Sequence, residues 1–201
     1  MPRILIASNN RGKLAEIQAL VRGAAFELVT PAMLGLHLEV PEDGASYAEN
    51  ASLKALSFAR LAQMMTLADD SGLEVDCLGG DPGLHSARYA PHPGATDADR
   101  RAILLSKLAS HPPPWTARFR CTLALGKPDG QVYLAEGVCE GEIIPQERGQ
   151  NGFGYDPVFL LPSLGRTMAE LTLDQKNRLS HRARAVQAAL PEIYRWLGLT
   201  A

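Results

Sequence analysis

The sequence predicts a single domain of mixed α/β class, and three observations support this prediction. The chain opens with a strand, a polar loop and a helix in succession, a capped helix follows, and the middle of the chain resembles a β-hairpin. A strand that leads through a loop into a helix is the usual opening of an α/β fold. The length of 201 residues suits one domain that spans residues 1–201.

The first elements are predicted from hydrophobic spacing. Residues 3–7 (RILIA) form a short apolar run, which indicates a buried strand. The polar loop SNNRGK follows, and apolar residues then recur at helical spacing as far as Gly23. Residues 26–30 (FELVT) predict a second strand.

Capping residues mark the later helices. Ser46 and Glu49 match the capping box S-x-x-E at the start of a long helix, and Thr96 with Asp99 begins another. A last helix is predicted from SHRARAVQAAL onward. Pro191 lies inside it and is expected to kink or split it, because proline lacks the N–H that a helix interior needs.

The middle of the chain predicts a β-hairpin. ARFRCTLALG alternates apolar with polar residues, PDG at 128–130 supplies a turn, and QVYLAEGVCEGEII returns. The segment HPPPW at 111–115 breaks the chain just before it.

Composition narrows the class of partner. Hydrophobic residues make up 46% and charged residues 21%, and the net charge is −2, so no global field attracts nucleic acid or an anionic membrane. The three cysteines are scattered and odd in number, which argues against a disulfide framework. No apolar run approaches the ~18 residues of a membrane span, and no signal peptide is recognised. The cytoplasm is therefore the expected location.

The loop SNNRGK at 8–13 is a candidate phosphate seat. A loop that opens a helix offers free N–H groups and the positive end of the helix dipole, and Lys13 adds a point charge. The loop lacks the G-x-x-x-x-G-K-[ST] pattern of a P-loop. The alternative is an ordinary turn in which Asn9 or Asn10 caps the helix.

Two adjacent carboxylates, Asp69 and Asp70, are expected to end a strand in the sequence DDSG. Such a pair repels itself unless a cation is near, and Mg²⁺ commonly uses one or two carboxylates with substrate phosphates. Glu42 and Asp43 are candidates for further oxygens, and the histidines show no zinc-like spacing. The alternative is a simple turn, since Asp and Ser favour turns.

Two later segments are candidates for binding a base. GFGYDP at 152–157 sets Phe153 and Tyr155 among small residues, which leaves an aromatic face open for stacking. Lys176, Ser180, His181 and Arg182 stand near the start of the last helix, where Ser180 is a plausible N-cap and the helix terminus suits an anion or a polar base edge. The alternatives are a core phenylalanine beside a turn and a solvated basic helix face.

Six motifs occur in order along nearly the whole chain: S-x-N-x-x-K, E-x-G before a capped ENA helix, DDSGL, PG-x-x-SARY, GFGYDP and K-x-x-x-SHR. Together they resemble the purine nucleoside triphosphate pyrophosphatases of the inosine/xanthosine triphosphatase family. The resemblance implies an elongated mixed β-sheet flanked by helices, two lobes with a central substrate cleft, and a homodimer. It also implies hydrolysis of ITP, dITP or XTP to the monophosphate and pyrophosphate with Mg²⁺.

The resemblance also assigns the site residues. Glu42 and Asp70 match the metal-binding acids, and Asp70 matches the proposed general base. Lys54 is a further candidate for a triphosphate contact. The substrate-binding positions it implies are Ser8, Asn9, Asn10, Arg11, Gly12, Lys13, Ser71, Phe153, Gly154, Tyr155, Asp156, Lys176, His181 and Arg182.

Three other functions are weighed against this one. A pyrimidine-directed pyrophosphatase of the septum-formation (Maf-like) class has similar chemistry, but the SHR and FGYD motifs argue against it. A nucleotide-binding regulator without catalysis is opposed by the presence of Glu42, Asp70 and Lys13. A phosphohydrolase that releases orthophosphate is opposed by the absence of a DxD pattern at DDSG.

Overall fold

A computed structural model describes residues 1–200 of the chain. Within them lie five α-helices and seven strands of one mixed sheet, in the order β2-β1-β3-β4-β5-β6-β7. The mixed α/β class predicted from the sequence is confirmed. The strands are β1 (Arg3–Ile6), β2 (Glu27–Val29), β3 (Thr66–Val75), β4 (Trp115–Gly126), β5 (Val132–Ile143), β6 (Phe159–Leu161) and β7 (Arg166–Thr167). The helices are α1 (Arg11–Leu20), α2 (Tyr47–Ala62), α3 (Asp97–Leu108), α4 (Leu173–Lys176) and α5 (His181–Leu197).

The described chain divides into two compact units, and each is built from separated stretches. The first unit comprises residues 1–70, 121–137 and 181–201, and the second comprises 71–120 and 138–180. The chain therefore passes between the units four times. No helix of residues 1–200 is long and apolar enough to cross a membrane.

In the first unit, β1 pairs in parallel with both β2 and β3. Parallel neighbours need a crossover connection, and α1 and α2 supply the two crossovers. Ile17 of α1 packs with α5 against one face of the sheet. Ala51 and Ala55 of α2 pack against another set of buried residues that includes Leu5 and Ala68.

In the second unit, β6 pairs antiparallel with both β5 and β7. One apolar core joins α3, through Leu104 and Leu108, to strand residues such as Val75, Phe119 and Phe159. The rings of Phe119 and Phe159 lie 4.4 Å apart at their centroids. This core supports the loops that follow β5.

Capping chemistry sets the helix starts as predicted. The Thr96 hydroxyl accepts from the Asp99 N–H at 3.2 Å, and the Asp99 carboxylate accepts from the Thr96 N–H at 2.8 Å. Ser46 likewise accepts from the Glu49 N–H at 3.1 Å, but the Glu49 carboxylate accepts from the Ala45 N–H instead. The Ser46 box is therefore only half formed.

One expected element boundary is wrong, and one of the two effects expected of Pro191, a split helix, does not occur. Strand β3 does not end at Asp69 but continues through DDSG to Val75, because Leu73 and Val75 beyond it are buried in the second core. Helix α5 is not split at Pro191. Ala185 and Ala189 before the proline and Ile193 after it all pack into one core, and that packing holds both halves in one helix.

Helix α5 meets strand β5 at Gly137 so closely that no side chain fits. A Cβ built there lies 2.0 Å from the His181 carbonyl oxygen and 2.6 Å from the Ala185 nitrogen. Both contacts are to main-chain atoms, which cannot swing aside.

The start of α5 is also held by charge. The buried guanidinium of Arg182 pairs with Glu16 of α1 and, at 3.3 Å, with Asp69 of β3. All three side chains are almost completely removed from solvent. Burial alone would lower the pKa of Arg182, but the two carboxylates outweigh it and hold that pKa above its ordinary value. The cluster joins α1, β3 and α5.

We expect Gly137→Ala to destabilise the protein by about 1–3 kcal/mol or more, because overpacking against a fixed backbone forces the helix away. Thermal melting followed by circular dichroism measures this. Glu136→Ala, on the exposed neighbour in the same strand, should melt close to the parent protein. An unchanged melting temperature for Gly137→Ala would contradict the close approach of α5.

We expect Arg182→Met to cost about 3–5 kcal/mol, because it leaves buried carboxylates without their guanidinium. The pKa of Asp69 should then rise from its depressed value toward its ordinary one, because one of the cations that lower it is gone. The deficit relative to the parent is therefore smallest in strong acid, where this carboxyl is protonated in the folded variant, and grows as pH rises through the acid range. Urea unfolding at about pH 3 and about pH 6 tests the sign, which is wrong if the deficit is larger at the lower pH.

Candidate active site

The predicted phosphate and metal residues of the first unit lie where the strand order reverses. Strand β1 has β2 on one side and β3 on the other, and ligands in open α/β sheets bind beyond the carboxyl ends of strands at such a point. The loop 8–13 follows the end of β1. Register pairs Ile6 with Leu67, so Asp70 lies beyond the last paired residue of β1.

The loop that precedes α1 is built as a helix N-terminus. The Asn10 side chain accepts from the Lys13 N–H at 3.1 Å, and the Ser8 hydroxyl accepts from the Asn10 N–H at 3.3 Å. Asn10 is thus the cap, as in the alternative interpretation of this loop. Capping does not exclude phosphate binding, because the first-turn N–H groups and the helix dipole still favour an anion.

The two carboxylates of DDSG have opposite surroundings. Successive side chains of a strand point to opposite faces, so Asp69 lies on the side of Leu67 and the α1–α5 core, and Asp70 on the side of Ala68 and α2. Their alternation also removes the direct repulsion expected for adjacent acids at a strand end. The two carboxylates therefore have different neighbours.

Asp69 is neutralised by cations of the protein itself. Its Oδ2 atom lies 3.1 Å from Lys13 Nζ and 3.3 Å from Arg182 Nε and Nη2. Burial alone would raise the pKa of this carboxyl, but Lys13, Arg182 and Lys54 outweigh it and hold the pKa well below its usual range. Asp69 therefore stays ionised and fixes the Lys13 ammonium beside the loop 8–13.

Asp70 has a neutral hydrogen-bond partner. Asn50 of α2 donates from Nδ2 to Asp70 Oδ2 at 2.9 Å, and its own Oδ1 accepts from the Gly44 N–H at 2.8 Å. Burial raises the pKa of Asp70 above its ordinary value, although Asn50 and Lys13 oppose the shift. A carboxylate with a raised pKa is a better base than an exposed one.

Glu42 and Lys54 are two further charged side chains that act on the carboxylates of β3. The two side chains form an ion pair, and Lys54 also donates to the Asp69 carbonyl oxygen at 3.3 Å. Glu42 is near enough to Asp70 to raise the pKa of that carboxyl. Glu42, Lys54 and Lys13 thus all lie close enough to Asp70 to shift its pKa.

The acidic residues present fit a cation that takes only some of its ligands from the protein. Within residues 1–200, no group of three or more His, Cys, Asp or Glu side chains is arranged to bind a metal. Mg²⁺ usually takes one or two protein carboxylates and fills its other positions with water and phosphate oxygens. The acids Glu42 and Asp70 match that donor set.

The second unit holds the aromatic loop, residues 152–156. Asp156 is buried, accepts from the Phe153 N–H at 2.9 Å, and pairs with Lys176 at 2.5 Å. The Lys176 ammonium also lies 5.1 Å from the centroid of the Phe153 ring. The Tyr155 hydroxyl donates to the Ser86 carbonyl oxygen at 2.9 Å, and burial raises the pKa of this tyrosine. The loop is a fixed platform with Phe153 only partly buried.

The remaining predicted site residues divide between the units. Ser71 follows Asp70 on β3 and is half-buried. His181 and Arg182 open α5 and are buried. The Arg182 guanidinium is bonded to Glu16 and Asp69, so its role visible in the structure is to hold carboxylates. Arg11 is exposed.

Sequence reasoning missed Glu16 and Asn50 as members of the site. Both are helix residues whose partners are distant in sequence, and neither carries a motif spacing of its own. The only signal was Asn50 within the ENA segment.

Cys121 lies near Asp69, and burial raises the pKa of its thiol to about 12, so it is not a nucleophile.

Comparison with known proteins identifies the family. The Ham1 family profile matches residues 4–192. A dITP/XTP pyrophosphatase of Geobacter sulfurreducens is 46% identical over 200 residues, covering 99% of this chain and 100% of its own. One of Methylococcus capsulatus is 48% identical over 186 residues, covering 91% and 92%.

A solved structure gives the same result. The structure of a HAM1 protein from Coxiella burnetii matches with a TM-score of 0.87 at 39% identity, covering 97% of this chain and 100% of that chain. The family suggested by the motifs and the mixed α/β fold thus agree with these comparisons. The chain belongs to the Ham1 family.

Proposed function

We propose that this protein hydrolyses non-standard purine nucleoside triphosphates (ITP, dITP and XTP) to the nucleoside monophosphate and pyrophosphate. The observation that carries the proposal is the pair of carboxylates on β3. Asp69 fixes the Lys13 cation, and its neighbour Asp70 is a buried, more basic carboxylate beside Glu42. The relatives named dITP/XTP pyrophosphatases support the substrate class.

The triphosphate is assigned to the loop 8–13 and its cations. The first-turn N–H groups of α1 and the Lys13 ammonium attract phosphate oxygens. Lys54, already close to Glu42, adds a second positive charge. These fixed charges stabilise the negative charge that develops as the phosphoanhydride breaks.

Membership in a family of nucleoside triphosphate pyrophosphatases suggests a requirement for a divalent metal. We assign Mg²⁺ to Glu42 and Asp70, with the remaining ligands from water and substrate phosphate. When bound, such an ion polarises phosphoryl oxygens and offsets the charge of the leaving pyrophosphate.

Asp70 is assigned as the general base. Its carboxylate accepts a proton from water as the water oxygen forms a bond to the α-phosphorus. The bond from that phosphorus to the α–β bridging oxygen breaks, and its electron pair leaves with pyrophosphate. Asn50 keeps the Asp70 carboxylate oriented through its 2.9 Å hydrogen bond.

Base recognition is assigned to the aromatic loop, with Lys176, Ser71 and His181 as further binding residues. Stacking on Phe153 does not discriminate among purines, because every base has a π-face. Donors aimed at a 6-oxo group reject adenine strongly, since buried donors would otherwise stay unpaired. The homodimer and the cytoplasmic location also belong to this proposal.

We expect the purified protein with Mg²⁺ to release pyrophosphate from ITP and XTP and little from ATP or GTP. Pyrophosphate and orthophosphate are assayed in parallel. Release mainly from dTTP would favour the pyrimidine-directed class, and orthophosphate alone would place cleavage at another bond.

Removing the divalent metal with EDTA should stop turnover, and adding Mg²⁺ should restore it.

We expect Asp70→Asn to lower kcat for ITP by roughly 10²–10⁴-fold, the range for loss of a general base. The isosteric amide keeps an oxygen for the Asn50 bond, so the fold and nucleotide binding should be largely retained. Asp174→Asn, at an exposed position on α4, is the matched control. Full activity of Asp70→Asn would remove Asp70 from the catalytic role.

A further inference from the structure

The aromatic loop is held at its centre by the first turns of α3. Asp97 Oδ2 accepts from the Gly154 N–H at 2.7 Å, and Arg101 Nη1 donates to the Gly154 carbonyl oxygen at 2.8 Å. Asp97 and Arg101 are four residues apart and so lie on one face of the helix. Together they form hydrogen bonds with the peptide groups on both sides of Gly154. We call this pair the α3 clamp.

Both members of the α3 clamp are themselves fixed. Arg100 Nη1 bonds to Asp97 Oδ1 at 2.5 Å, which leaves Oδ2 directed at Gly154. Arg101 binds Glu147 through Nε and Nη2 at 2.8 and 3.0 Å. A fork held at two corners directs its remaining nitrogen, so neither clamp contact depends on a freely rotating side chain.

The position of the clamp matters because Gly154 separates Phe153 from Tyr155. Gly154 has φ of +62°, a left-handed conformation in which glycine is favoured. On either side the chain is held by the Phe153 N–H to Asp156 and by the Tyr155 hydroxyl to Ser86. With both peptide groups of Gly154 fixed as well, the loop has little freedom to turn the Phe153 ring.

We infer that Asp97 and Arg101 are positioning residues for base recognition: they hold the aromatic loop in the conformation that receives the purine. This inference rests on the proposed function and on the assignment of Phe153 to the base. Neither residue belongs to the six sequence motifs, and the sequence predicts α3 only as a capped helix. The clamp acts through the loop and touches no reacting atom.

The inference predicts a division between binding and chemistry. Loosening the loop costs ordering entropy when the base binds, so KM for the nucleotide should rise while kcat changes little. Pyrophosphate carries no base, so its inhibition constant as a product should stay unchanged. A general loss of folded structure would lower the active fraction and hence kcat, and would leave KM unaltered.

The experiment compares Asp97→Ala and Arg101→Met with the control Asp99→Ala. Asp99 belongs to the same first turn and caps the helix, yet it bonds to Thr96 and not to the loop. We expect KM for ITP to rise about 5- to 20-fold in each clamp variant, the effect of losing one partly solvent-screened hydrogen bond to a charged group. Asp99→Ala should keep the parent KM even where it melts earlier.

Two further variants test whether the clamp acts as a unit. Asp97→Asn retains an oxygen that accepts from the Gly154 N–H, so its KM should return to within about 3-fold of the parent value. In the double variant Asp97→Ala/Arg101→Met, the two effects should combine less than additively, because both contacts fix the same glycine.

The outcomes separate this inference from the proposed function. If the parent protein releases no pyrophosphate from ITP, the proposed function fails, and the dissociation constant of inosine monophosphate, measured by calorimetry, tests the clamp instead. A KM and a dissociation constant at parent values in both clamp variants would overturn the inference. So would an equal rise in Asp99→Ala, which would trace the effect to the stability of α3.

Discussion

The buried charge of Asp69 is the constraint on which the first unit depends. A carboxylate removed from water is costly unless cations and donors surround it, and here Lys13 and Arg182 both contact its Oδ2 atom. The two cations come from α1 (Arg11–Leu20) and α5 (His181–Leu197), which are far apart in the sequence. The charge of one side chain on β3 thus holds the first turns of two helices in place.

In that arrangement, the two adjacent carboxyl groups have pKa values shifted in opposite directions. Strand alternation places Asp69 toward the α1–α5 core and Asp70 toward α2. Asp69 is held ionised by permanent cations, whereas Asp70 faces the amide of Asn50 and has a raised pKa. A carboxyl group with a raised pKa and one that stays ionised beside a lysine can therefore lie next to each other without competing for the same proton.

Local signals allowed much of the fold to be predicted. The caps Ser46 and Thr96 and the turn at 128–130 act over a few residues, so the sequence displays them directly. The continuation of β3 through DDSG and the unbroken α5 depend on cores formed by distant segments, which local propensity does not reveal. The same limit applies to the candidate site, because the contacts of Glu16, Asn50 and Arg101 form only in the folded chain.

The first unit is built from separated stretches of the chain, and this limits when it can fold during translation. Glu16 and Asp69 leave the ribosome long before Arg182, because α5 is the last helix of the described chain. Until that helix emerges, the nascent polypeptide has two acids but not the guanidinium that permits their burial. The amino-terminal half therefore cannot settle into its final packing first, although domains often fold in order of translation. The final packing around Asp69 therefore waits until α5 has been synthesised.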